Sequence, residues 1–283
     1  MIKSKGALKS ISPVVIWMLL FFIVPLFLVV VVSFMTRGQY GDIQYKITSG
    51  NYAKLLNPLY IRILWNSILI SAATMLLCLI FGYPFAYFVA RSPKIYRPIL
   101  LMLIILPFWT NSLIRTYAWI ILLRTEGIIN TYLLKLGIIK APLTLLYNNT
   151  AVLIGMVYMM FPFMVLPLYS SIEKLDKSLL EAASDLGATP VRAFLKVTLP
   201  LTKPGIFSGC LLVFVPTLGY FFIPDLMGGS KIILISNLIK NQFLSARNWP
   251  FGSAISVILI VIMFVTLLIY IKSGGSKDKM EVL

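Results

Sequence analysis

The chain has no histidine, and charged residues fill only 12% of its 283 positions. Without imidazole there is no Ser-His or Cys-His nucleophile, no histidine general base and no histidine-ligated zinc. The two cysteines, Cys78 and Cys210, lie far apart in long apolar stretches and read as small buried hydrophobes, with neither a disulfide nor a metal site expected. The phosphate-cradling pattern G-x-x-x-x-G-K-[ST] is supplied by neither Gly228-Gly229-Ser230-Lys231 nor Gly274-Gly275-Ser276-Lys277. No nucleophile with a base and no buried pair of carboxylates is identifiable, so the chain reads as non-catalytic, with no catalytic residue, no metal and no cofactor of its own.

Apolar residues are what it has in excess. The set AVILMFWYC makes up 59% of the chain, where soluble domains are roughly 45–50% apolar and about 25% charged. The fold class is therefore an all-α polytopic membrane protein, a single transmembrane domain over 1–283. Six uncharged or nearly uncharged runs each supply the roughly 20 residues that cross a bilayer core. Their expected cores are Val14 to Phe34, Ile63 to Phe88, Ile99 to Leu123, Val152 to Tyr169, Ile206 to Pro224 and Ser253 to Ile271. The first follows Lys3, Lys5 and Lys9 and imitates a signal peptide, but its apolar run is longer than an h-region and no small-x-small cleavage site follows; it reads as a retained helix.

The formal net charge is +16. The basic residues are spread over membrane-flanking loops, where topology and anionic headgroups account for them, and no nucleic-acid partner is expected. The N-terminus, the 90–98 loop, the 170–205 loop and the C-terminal tail hold 14 Lys and Arg, and the opposite segments hold 10. The 90–98 loop carries Arg91, Lys94 and Arg97 with no acid, so both termini and the 170–205 loop are placed on the cytoplasmic side.

The longest of these loops, 173–204, reads as helix–turn–helix. Ser178 followed by Glu181 is a capping box, Leu179, Leu180, Ala182, Ala183 and Leu186 give an apolar side, and Gly187 can end the helix in the left-handed region. Thr189-Pro190 starts a second short helix through Phe194 and Leu195, and Leu199-Pro200 with Pro204-Gly205 redirect the chain into the fifth span. By the residues alone the first helix either docks on a partner, with Ala182 and Ala183 permitting close approach, or packs under the bundle.

The spacing Glu181-Ala182-Ala183, three residues, Gly187, nine residues, Val197, one residue, Leu199-Pro200 resembles the EAA loop of ABC importer permeases, with Val in the usual Ile position. The segments 107–115, 167–176, 225–229 and 248–252 extend the likeness to PotB-type permease subunits of spermidine/putrescine importers over nearly the whole chain. That resemblance implies a type I (MetI-like) importer permease fold in a bacterial cytoplasmic (inner) membrane. It implies that Glu181, Ala182, Ala183 and Gly187, completed by Leu199 and Pro200, form the coupling element for a partner ATPase dimer. ATP and Mg would be bound by that partner. It also implies a second permease subunit forming a heterodimer, an extracytoplasmic solute-binding protein and a polyamine substrate. The same architecture serving an anion, an iron complex or thiamine is the nearest alternative, and an autonomous channel or secondary transporter a more distant one.

Candidate path residues come from two spans. In the third, Trp109, Ser112 and Thr116 would share one helical face and Asn111 and Arg115 another, lining a path or serving as interhelical hydrogen-bond partners with Arg115 snorkelling outward. At the end of the fifth, Tyr220, Phe221 and Phe222 precede Asp225, an aromatic and carboxylate combination suited to ammonium groups; Asp225 could instead neutralise Arg115. The outer loops are basic, with Asp42 and Glu126 as their acids and Asp225 at the boundary, so they do not themselves attract cations. Pro25, Pro84, Pro107, Pro162, Pro167 and Pro216 are candidate kinks. Gly205 and Gly209 suggest close helix packing, and Ile235, Leu238, Ile239 and Phe243 form a stripe expected to lie on the membrane interface.

Overall fold

The computed structural model describes residues 12–272. Lys3, Lys5, Lys9, the C-terminal tail and Gly274-Gly275-Ser276-Lys277 lie outside the described residues. In chain order the elements are α1 (Ser12–Ser33), β1 (Thr36–Arg37), β2 (Ile43–Gln44), α2 (Gly50–Leu55), α3 (Pro58–Arg91), α4 (Arg97–Ile105), α5 (Ser112–Leu123), α6 (Ile128–Lys135), α7 (Asn149–Glu173), α8 (Lys177–Asp185), α9 (Pro190–Leu201), α10 (Lys203–Gly219), α11 (Ile235–Leu244) and α12 (Trp249–Tyr270). By length and composition α1, α3, α7 and α12 can each cross a membrane unbroken, and two bent pairs, Arg97–Trp109 with Ser112–Lys135 and Pro190–Leu201 with Lys203–Gly219, bring the number of candidate spans to six. This is a multi-pass membrane protein.

The chain divides into two compact units, one made of the residues up to Arg62 with Leu238–Ile262, the other of Ile63–Asn237 with the residues from Met263 on. In the first, α2 is tied to the end of α1 by polar contacts: Asn51 Nδ2 donates to the carbonyls of Ser33 and Met35 at 2.9 and 2.8 Å, and Tyr52 OH meets Ser33 Oγ at 2.7 Å. Between them β1 and β2 pair antiparallel, Thr36 opposite Gln44, around Gly41 at φ +85°. Tyr60 packs edge-on against Phe251, and Phe243 against Trp249.

In the second unit α7 is the central helix. Met156, Met160 and Met164 recur every four residues and, with Met159, are at most 3% exposed; their unbranched side chains fill irregular gaps between helices. Because apolar burial gives little drive between helices in lipid, close backbone approach must supply contact instead. α10 achieves it at Gly205 and Gly209, where a Cβ would stand 2.4 Å from Ser171 Cβ and 2.7 Å from Met164 Sδ. The small-residue pair read in the sequence is thus the contact between α10 and α7. Hydroxyls inside the bundle, among them Thr74, Thr116 and Thr217, donate to carbonyls one turn back in their own helices, which satisfies them without a partner helix.

Several expectations are corrected. The third span is not one helix from Ile99 to Leu123: it breaks after a 3₁₀ turn at Leu106–Trp109, Thr110 is extended, and the two halves are bent by 94°. The fifth does not run to Pro224, because the helix stops at Gly219 and Tyr220 is extended before a single π turn, Pro224–Gly228. The chain turns into α10 at Thr202, with a 65° bend, and not at Leu199-Pro200, which lie inside α9. The start of α11 is buried on more than its apolar stripe: Ser236 and Asn237 are as buried as Ile235 and Leu238. Its first N–H donates to Ser67 Oγ at 2.8 Å.

Candidate functional site

The loop after α7 is built from two capped helices. Asp176 caps α8, its carboxylate accepting from Ser178 N–H at 3.0 Å. The Ser178–Glu181 capping box expected from the sequence is not formed, because the helix begins two residues earlier than the box requires, at Lys177 with Asp176 as its cap. The hydrogen bond from the Ser178 amide, the nearest donor, holds the Asp176 carboxyl below the usual carboxylate range. At the other end Gly187 takes φ +76°. Ala188 N–H reaches Ala183 O and Gly187 N–H reaches Ser184 O, both at 2.9 Å, which is the paired closure of a Schellman ending. Thr189 caps α9 as expected, with Pro190 at its first position.

No residue of α8 is buried. Glu181 and Ala182 are exposed, Leu186 is 89% exposed, and Val191 and Leu195 beside it are exposed as well. Of the two arrangements open to the sequence, a helix tucked under the bundle is therefore not the one adopted. The loop is nonetheless anchored: Phe194 of α9 meets Tyr83 of α3 edge-on at 5.5 Å and Tyr87 at 6.5 Å. Tyr83 OH also shares a 2.8 Å hydrogen bond with Thr202 Oγ1, at the bend between α9 and α10. Leu199 packs against the core, while Pro200 is exposed. Phe194 was named in the sequence only as a helix residue, because the loop motif has no aromatic position to mark it as an anchor.

The 90–98 segment comes to the same end of this unit. Arg97 Nη1 bonds Glu173 at 3.0 Å and Arg97 Nε bonds Ser92 O at 2.9 Å. The two loops together line a recess of about 770 Å³ that includes Arg91, Lys94, Lys174 and Asp176.

The path candidates are placed differently from one another. Trp109 is 76% exposed at the end of the 3₁₀ turn, and Asn111 is the N-cap of α5, its Oδ1 accepting from Leu113 N–H at 2.8 Å. Trp109 and Ser112 do not share a helical face, since the break lies between them, and Asn111 bonds its own backbone rather than another helix. Arg115 does not snorkel outward. It is 9% exposed, with its guanidinium 4.4 Å from the Phe108 ring centroid and 5.9 Å from that of Tyr158. Asp225 takes a hydrogen bond from Asn237 Nδ2, a partner not expected from the sequence. Tyr220 stacks on Phe222 at 4.7 Å, and Ser236 Oγ donates to the Tyr220 carbonyl. The Pro224–Gly228 turn packs against both α5 and α7, with Gly155 of α7 admitting Met227. The structure thus brings the α5 end of the broken span beside the turn that carries Asp225.

Comparison with known proteins follows the same outline. The chain is 47% identical over 273 residues to the spermidine/putrescine transport system permease protein PotB of Haemophilus influenzae, covering 96% of each. It is 50% identical over 269 residues to PotB of Escherichia coli, covering 95% of this chain and 98% of that one. Its fold matches a chain in the crystal structure of a bacterial ABC transporter involved in the import of the acidic polysaccharide alginate, with a TM-score of 0.72 at 20% identity and 98% of each chain covered. The family described as binding-protein-dependent transport system inner membrane component matches residues 82–272, which include the broken third span, the α8–α9 loop and the segment between them. The chain belongs to that family of transport permeases.

Proposed function

We propose that the chain is the transmembrane permease subunit of a polyamine ABC importer in a bacterial cytoplasmic membrane, converting ATP hydrolysis by a partner into alternating access and hydrolysing none itself. The observation that carries the coupling role is the exposed, doubly capped helix α8 joined through Phe194 to Tyr83 and Tyr87 of α3. A rigid, solvent-facing ridge fits a groove on a partner, and the aromatic contact passes its displacement to a spanning helix. The substrate class rests on the PotB relatives, which match at about half identity over nearly their full length.

In this reading an ATPase dimer, with ATP and Mg between its subunits, draws Glu181, Ala182, Ala183 and Gly187 toward their counterparts on a second permease subunit. The path then opens outward to a solute-binding protein, and hydrolysis resets it. Leu199 and Pro200 transmit the movement to the bend at Thr202. Trp109, Asn111, Ser112, Tyr220 and Asp225 border the path, the aromatic rings and the carboxylate meeting the ammonium groups of the polyamine.

The test is ATP-dependent uptake of labelled spermidine into proteoliposomes holding this chain with its ATPase, second permease and binding protein. Uptake that is lost in Glu181→Ala while the complex stays assembled supports the reading. Absence of spermidine uptake, with binding-protein-stimulated ATPase activity toward another solute, overturns the substrate.

A further inference from the structure

We propose that the recess containing Arg115 is a binding site for an anionic phospholipid. The recess has a volume of about 550 Å³ and lies within the second unit, among α3, α4, α5 and α7. Arg115 is its one charged lining residue. Its Nε and Nη1 are buried with no hydrogen-bond partner, although only 9% of the residue is exposed. Phe108 and Tyr158 offer the guanidinium their ring faces, which attract the cation but leave its in-plane N–H donors unanswered. The oxygens of a phosphate can accept from such in-plane N–H donors.

The remaining walls are mainly apolar, including Phe81, Leu103, Leu153, Val157 and Phe161. Phe81 and Leu103 are 60% and 62% exposed, so the recess opens sideways at its apolar rim. A carboxylate from a neighbouring subunit would answer the charge and leave the apolar volume unfilled. Free phosphate would do the same, and a neutral acyl chain would leave the arginine unpaired. A phosphodiester headgroup with its acyl chain satisfies both parts, as basic pockets between membrane helices do for acidic lipids. A polyamine is repelled by this arginine, so, resting on the proposed function, the occupant of this recess is not the transported solute.

The test is native mass spectrometry of the full transporter complex released from vesicles of phosphatidylglycerol mixed with phosphatidylcholine. The wild type is expected to retain phosphatidylglycerol with roughly tenfold preference, the scale of one charge-assisted hydrogen bond. Arg115→Gln is expected to abolish the preference. Leu103→Trp, at an exposed position that leaves Arg115 in place, is expected to block the opening and release the bound lipid. If Arg115→Gln fails to assemble, Leu103→Trp decides alone: lipid lost supports the site, lipid retained overturns it. Equal retention of the two lipids by the wild type also overturns it. So does displacement of phosphatidylglycerol by millimolar inorganic phosphate, and so does an Arg115→Gln complex that sheds its second permease while keeping its lipid preference.

Discussion

Gly205 and Gly209 look equivalent in the sequence, but their surroundings differ in what can yield. A Cβ at Gly205 would press on Ser171 Cβ at 2.4 Å and on the Pro167 carbonyl at 2.9 Å, both fixed by the backbone of α7. At Gly209 the nearest atom is the sulfur of Met164, the end of a flexible side chain, with backbone no nearer than 3.2 Å. Gly205→Ala is therefore expected to destabilise by about 1–3 kcal/mol through overpacking and Gly209→Ala by less, read as the order of unfolding temperatures in the assembled complex. Equal losses would mean that α10 shifts as a body. The cap of α8 gives a second contrast at this scale. Asp176→Ala should speed amide hydrogen exchange at Ser178 several-fold, and Ser178→Ala should leave exchange in the rest of the first turn unchanged, because the carboxylate and not the hydroxyl holds it. The folded carboxyl titrates below its unfolded value of about 3.9, so the cap contributes fully above that pH and is lost as pH falls through the depressed value. Asp176→Asn should remove that acid dependence.

Elements were legible wherever one signal dominated, and misread where two competed. Apolar length alone identified α1, α3, α7 and α12 to within a few residues. The Gly187 ending and the Thr189-Pro190 start of α9 were legible because each needs a special backbone that few residues supply. The third span failed because its hydropathy continues through a break. Pro107 followed four residues later by Asn111, a good N-cap in mid-run, was the available signal, and apolar composition overrode it. Asn111→Ala should cost about 1 kcal/mol of stability at the start of α5, whereas Asn111→Asp or Asn111→Ser should be tolerated, as read by thermal unfolding of the complex. A path role for Asn111 would instead appear as a raised KM for uptake in all three. The apolar stripe of α11 was legible, but the burial of Ser236 and Asn237 beside it was not, since it comes from bonds to carbonyls and to Asp225 that no pattern in one sequence reveals. The anchor of the loop was equally hidden: Phe194 and Tyr83 are 111 positions apart and meet only in the fold. Phe194→Ala should leave ATPase docking intact and reduce uptake per ATP hydrolysed, the ratio of two rates measured on the same proteoliposomes.

At the scale of the whole molecule, the arrangement of loops supports the charge rule without fixing its sign. The segments assigned from their Lys and Arg to one side, 90–98 and 170–177, share a recess and the Arg97–Glu173 ion pair, and those assigned to the other, 124–126, 144–148 and Lys231, share another. The purely basic 90–98 loop predicts that its own side faces the cytoplasm. Cys78 is buried and Cys210 half-buried, so replacing both by Ala gives a background in which single surface cysteines report sidedness. In intact cells from which any outer barrier has been removed, an impermeant maleimide is expected to label Tyr45→Cys and Lys140→Cys. Lys94→Cys and Lys177→Cys should react only after permeabilisation; all four positions are exposed. The reverse pattern would put α8 on the far side of the membrane from any ATPase and remove the coupling role, even with the fold and the family unchanged. Labelling of all four before permeabilisation in sealed cells would mean that the two recesses open to one compartment, which the alternation of six spans forbids. Orientation is thus the property on which the coupling role of the exposed helix and its Phe194 anchor depends.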